Sequence, residues 1–269
     1  MSEVEQGESE QSVLRAGDLI DQMFTLWIEP HVKASNLDIS REQIAKALVV
    51  LHPDGAPEVL LNDQAELIAS VKVREAVAAG EPVMAENVEH VSGLRPASIP
   101  PSAGWIAFAI VPGSGITVAF DFRYNRDRAA ALLVRATEFL ETGREALTAG
   151  RIGPAIEAAL AAGELAVTAM ASLQNVVHRG RNSHGARQAW LNSYTRVGNG
   201  TPDWFRAMRR LLEARPSARY GDPKGGALPT AIELAEFLNH VDSLVDHASR
   251  RAADHNRTAL RDDDQPQTS

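Results

Sequence analysis

From Ser12 to about Ser35, Leu14, Leu19, Ile20, Met23, Phe24, Trp27 and Ile28 recur at steps of three and four, which lines apolar side chains along one face of a helix. Pro30 marks its expected end, because proline has no N–H to donate and its ring collides with the preceding turn. The pattern then shortens. Apolar runs at 44–51 and 59–61 flank His52-Pro-Asp-Gly55, a turn signal between two strands, although 41–48 fits a short helix equally well. Residues 65–73 fit a strand or a helix. The Gly, Pro, Glu and Ser of 80–102 predict a long connection. Residues 105–111 and 116–122 then flank Pro-Gly-Ser-Gly. In the second run Ile116, Val118, Phe120 and Phe122 alternate with Thr117, Ala119 and Asp121, so the pair reads as a hairpin.

After Asn125 the period changes to that of helices. Leu132, Leu133, Ala136, Phe139, Leu140 and Leu147 make one apolar face; Ile152, Ile156, Leu160, Gly163, Val167, Met170, Leu173 and Val177 make a second. The break near Gly150 to Pro154 predicts an antiparallel pair. Trp190, Tyr194 and Val197 mark a third helix. Trp204, Phe205, Met208, Leu211 and Leu212 mark a fourth, with Asp203 after Pro202 at its start, and 234–248 carries a fifth. The fold class that follows is α+β. A small α/β domain with β-hairpins spans 12–125, and a five-helix bundle spans 126–253. The acidic residues 1–11 and the tail 254–269 have little to bury and are expected to be unstructured.

Composition narrows the chemistry. With 44% hydrophobic and 23% charged residues the chain can build cores and is not generally disordered. It has no cysteine, so disulfides, thiol nucleophiles and thiolate metal sites are excluded. No apolar run approaches the ~20 residues that cross a bilayer, and the acidic start is unlike a targeting leader. The expectation is a cytoplasmic protein without membrane contact. His240 and His247 lie two helical turns apart, too far to share a metal, so no metal or cofactor is expected.

Charge is unevenly spread. Between His178 and Tyr220 nine arginines face only Asp203 and Glu213, a local balance of +7 in a chain whose net charge is −8. Such an island suits a phosphate-bearing partner, RNA or a nucleotide, as well as it suits a solvated helix face. It contains Arg179-Gly-Arg-Asn-Ser-His184, an arginine and a histidine that can meet at a phosphodiester.

The helical half resembles the HEPN superfamily of helical bundles. The resemblance rests on Ala161-Ala-Gly-Glu-Leu-Ala-Val167 in the long second helix, on the helix start His184-Gly-Ala-Arg-Gln-Ala-Trp-Leu191, and on Leu211-Leu-Glu-Ala-Arg-Pro-Ser-Ala-Arg-Tyr-Gly-Asp222, taken in this order. It covers roughly residues 127–253. Many members are metal-independent endoribonucleases built on an Arg-x4-6-His motif, which Arg179 and His184 match. The resemblance therefore implies RNA binding and cleavage, a homodimer formed through the helical domain, and a place in stress response or defence. It equally accommodates a non-catalytic module that binds a nucleotide or a protein.

The residue types suit that chemistry. Histidine exchanges protons near neutrality, and arginine binds phosphate and stabilises charge growing on its oxygens. Glu164 matches a glutamate often seen in the family and is expected either to orient an arginine such as Arg179 or Arg181 or to be an ordinary helix-flank carboxylate. Arg181, Arg187, Arg206, Arg209 and Arg210 are the candidate nucleic-acid contacts. Trp204 and Phe205 are expected in the core rather than as stacking platforms for bases.

Overall fold

The structure, a computed structural model, describes residues 17–78, 80–111, 115–176, 183–221 and 226–260. The chain divides into two compact units between Tyr124 and Asn125, and its class is α+β.

In the first unit, β1 (Lys46–Leu51), β2 (Glu58–Leu61), β5 (Gly104–Val111) and β6 (Gly115–Asp121) form an antiparallel sheet in the order β2-β1-β5-β6. Alternation decides which side chain serves which face. Ala47 opposes Phe108 and Val49 opposes Ile106, and all four pack with Ile20, Met23, Phe24 and Ile28 of α1 (17–34). Leu48, Val50, Trp105 and Ala107 point to the other face and pack with Leu94 and Ala103. Both predicted hairpins are present, and 65–73 resolves as strand β3 (Leu67–Val73).

Two expectations fail in this unit. Helix α1 runs past Pro30 to Ala34 because Phe24–Ile28 is π-helical, with Glu29 N–H donating to Phe24 O. Pro30 then falls in the first turn of the α-helical segment that follows, where its missing N–H costs no bond. The connection expected at 80–102 contains strand β4 (Val88–Pro96), paired antiparallel with β3 in a separate two-stranded sheet. Irregularities at Ser70/Val71 and Lys72/Val73 leave Val88, Val91 and Leu94 buried at every third position, so the alternation that announces a strand is missing.

The described residues of the second unit form five helices: α2 (Arg126–Thr148), α3 (Ile152–Leu173), α4 (Ser183–Arg196), α5 (Pro202–Tyr220) and α6 (Ala231–Leu260). Helix α6 takes in residues 254–260, which the sequence pattern had assigned to the tail. Helix α3 is central and packs on the other four. Its buried positions are largely small: Ala155, Ala159, Ala162, Ala166 and Ala169 favour helix, and with Gly163 they let neighbours approach closely. Helix α3 is also long and apolar enough to cross a bilayer by length and composition, with 72% of its apolar window buried within the structure. This corrects the expectation that no such run exists: Glu157 and Glu164 interrupt the apolar sequence and disguise its length.

Caps fix the helix ends that bear on the site. Thr201 Oγ1 accepts from Asp203 N at 3.3 Å to open α5, and left-handed Gly221 (φ 63°) closes it. Asp203 is held below the usual carboxylate range, first by its hydrogen bond to Arg206. At the start of α6, Glu233 accepts from Thr230 N at 2.8 Å and Thr230 Oγ1 accepts from Glu233 N at 3.2 Å, a capping box.

An aromatic cluster joins α4, α5 and α6. Tyr194 OH lies 2.9 Å from His247 Nε2, Trp190 stacks on Tyr194 with ring centroids 4.9 Å apart, and the Trp204 ring lies 4.9 Å from His247. Trp204 is thus in the core, as expected. Burial, then Arg251 and Arg250, pushes the His247 pKa down, while burial pushes the Tyr194 hydroxyl up. For a histidine depressed in the folded state, the unfolded chain binds more protons between the folded pKa and ~6.5, so stability falls as pH drops through that window. Thermal melts between pH 8 and pH 5.5 should show this loss, and His247→Gln, which keeps an acceptor for Tyr194, should reduce it. Parallel pH dependence in both proteins would contradict the assignment.

Candidate active site

Glu157 and Glu164 stand seven residues apart on α3, two turns along one face, with Thr168 one turn further. Helix α4 brings His184 and Arg187 to that face at i and i+3, and α5 brings Arg215. The result is a polar cluster spanning three helices. It lies at the edge of the core rather than within it, since the Glu164 side chain is 17% exposed, that of Arg215 26% and that of His184 40%.

The contacts select a tautomer of the neutral imidazole. Glu164 Oε1 hydrogen-bonds His184 Nδ1, and Arg215 Nη1 lies 3.5 Å from His184 Nε2. An ionised carboxylate can only accept and a guanidinium can only donate, so the neutral ring carries its proton on Nδ1 and a lone pair on Nε2. A carboxylate behind one ring nitrogen and a lone pair on the other is the arrangement of an oriented general base.

Both arginines are held by fixed partners. Arg187 donates from Nε to Thr168 Oγ1 at 3.0 Å and lies 3.5 Å from Glu164 Oε2, while Thr168 donates to the Glu164 carbonyl at 2.7 Å. Arg215 Nε lies 3.1 and 3.4 Å from the two oxygens of Glu157. Among the described residues two carboxylates and two guanidiniums balance, so their formal charges sum to zero when the imidazole is neutral. A balanced, partly desolvated network of this kind orients its members more than it stabilises the fold.

The structure therefore joins two of the three expected catalytic residues, Glu164 and His184; Arg179 lies outside the described residues, as do Arg181 and His178. Glu164 is expected to orient Arg179 or Arg181, and its partners among the described residues are His184 and Arg187. Arg187 is an inner member of the cluster. The other proposed contacts lie along α5, where exposed Arg206 pairs with Asp203, and Arg209 and Arg210 reach Glu213 at 3.4 and 3.3 Å. Pairs this exposed contribute little and are screened by salt, so their arginines can serve other anions.

Glu157, Thr168 and Arg215 were not singled out by sequence. The seven-residue step between Glu157 and Glu164 signals a shared face, but nothing in the sequence announces a partner 58 positions away. Among the described residues no group of three or more His, Asp or Glu side chains is arranged to hold a metal ion. No protein-family model matches the chain, and no curated protein matches it.

Proposed function

We propose that the helical unit is a HEPN-like RNA-binding module with metal-independent endoribonuclease activity, and that His184 is its proton-transfer group. One observation carries the reading: His184 Nδ1 is held by Glu164, while Nε2 presents a lone pair beside the Arg215 guanidinium, on a ring still open to solvent.

In this reading Nε2 takes the proton of a ribose 2′-hydroxyl. The 2′-oxygen bonds to the adjacent phosphorus, the bond to the 5′-oxygen breaks, and that oxygen leaves with a proton from solvent. Glu164 keeps the ring in the Nδ1–H tautomer and stabilises the imidazolium that forms. The exposed arginines of α5 supply attraction to the RNA backbone, and pairing of two helical units across a two-fold axis would double it.

The test is incubation of purified protein with mixed cellular RNA in excess chelator. Cleavage is the expected result. Inactivity toward every RNA tried would contradict the reading and favour a non-catalytic binding module, in which the same cluster does no more than pin α3, α4 and α5 together.

A further inference from the structure

Resting on that reading, we infer that Arg215 is the residue that receives the scissile phosphate, and that in turning to it Arg215 uncovers the base. Two guanidiniums border His184, and they differ in what they have left to offer. Arg187 is engaged at Nε by Thr168 and at Nη1 by Glu164. Arg215 is tethered through Nε by Glu157, approaches His184 Nε2 only at 3.5 Å, and its Nη2 edge has no partner among the described residues. A guanidinium clamped at Nε and open at its far edge is ready to take two phosphate oxygens in parallel.

The turn that carries Arg215 is itself fixed. Pro216 has no N–H for the α5 ladder, and the Glu213 carbonyl in this turn is taken by Gly226 N at 2.8 Å. Ser217 Oγ donates to Gly226 O at 2.9 Å, and a Cβ at position 226 would stand 2.8 Å from the Glu213 carbonyl oxygen, so only glycine fits. The chain beyond α5 thus clamps the turn that carries Arg215.

Arg215 Nη1 stands 3.5 Å from His184 Nε2, in front of the lone pair that the reaction needs. A phosphodiester competes for the same donors with a full negative charge, against the neutral ring nitrogen. Binding it moves the guanidinium off Nε2 and leaves the base free beside the 2′-hydroxyl. Substrate binding and exposure of the base then become one event, with Glu157 as the positioning residue.

The full-length chain provides the test. Arg215→Gln should lower kcat on a short RNA by ~10²-fold or more, the scale for removing one donor to developing charge, with Arg215→Lys less impaired. Inorganic phosphate added to wild type should shift the His184 Nε2 resonance in 15N NMR, and in Arg215→Gln it should not. Glu157→Gln, which leaves Arg215 in place, should weaken the phosphate response and guards against misfolding of the Arg215 variants. Unchanged cleavage by Arg215→Gln, no phosphate response in wild type, or an equal response in Arg215→Gln would overturn the inference while leaving the ribonuclease reading standing. A phosphate response that depends on Arg215 in a wild type without cleavage would uphold the anion site and remove the ribonuclease reading.

Discussion

His184→Ala is expected to lose at least ~10²-fold in RNA cleavage, the lower scale for removing a general acid or base. Fold and most RNA affinity should survive. Glu164 keeps Arg187 within 3.5 Å, and Arg215 keeps Glu157, so neither charge is left without a partner. Helix α4 is still anchored by Leu191 and Tyr194, both buried in the bundle core. Circular dichroism and filter binding would establish those two points before rates are compared. Cleavage that persists undiminished in the variant would remove His184 from the reaction even if the protein proves to be a nuclease.

Gly163→Leu is expected to cost more than ~3 kcal/mol of stability, at the upper end of overpacking effects. A Cβ at position 163 would meet Met208 Sδ at 2.1 Å and Cε at 2.8 Å, before the rest of the leucine is counted. Methionine is flexible, but Met208 is 2% exposed and enclosed by the same core, so it has little room to withdraw. The contact matters for the site because it sets how closely α5 lies on α3, and those helices carry Arg215 and Glu157. Urea denaturation should show the loss, and Met208→Ala in the Gly163→Leu background should recover part of it. Wild-type stability in Gly163→Leu would mean that the two helices do not pack this closely.

Both effects rest on features of differing legibility. Helices α2 to α6 were readable because each buries one stripe at the helical period, as Trp204, Met208 and Leu211 do on α5. Strand β5 was readable as an apolar run between turn signals, whereas the apolar run of β1 fitted a short helix equally well and is fixed as a strand by its pairing with β2 and β5. Strand β4 was not, because bulges in its pairing break the two-residue period that a strand imposes on sequence. The run of α1 past Pro30 was hidden because a π-helical turn relieves the proline locally.

The site divides in the same way. Glu164 and His184 stood out by motif and by residue type, and the contact between them follows from α3 and α4 packing side by side. Arg215 was one of nine arginines in the basic island, and its sequence neighbours gave no reason to prefer it. Its tie to Glu157 is a tertiary contact between helices, without the periodic trace that burial leaves. The cluster's neutrality was equally hidden, since the basic island reads as +7 until Glu157 and Glu164 are brought to it from outside.

Attack by the 2′-hydroxyl with His184 as base is tested most sharply by the chemistry of the ends that purified protein leaves on RNA in excess chelator. The expected ends are a 2′,3′-cyclic phosphate on one side of each break and a 5′-hydroxyl on the other. Breaks ending in a 3′-hydroxyl and a 5′-phosphate would mean that water is the attacking group, and would contradict attack by the 2′-hydroxyl.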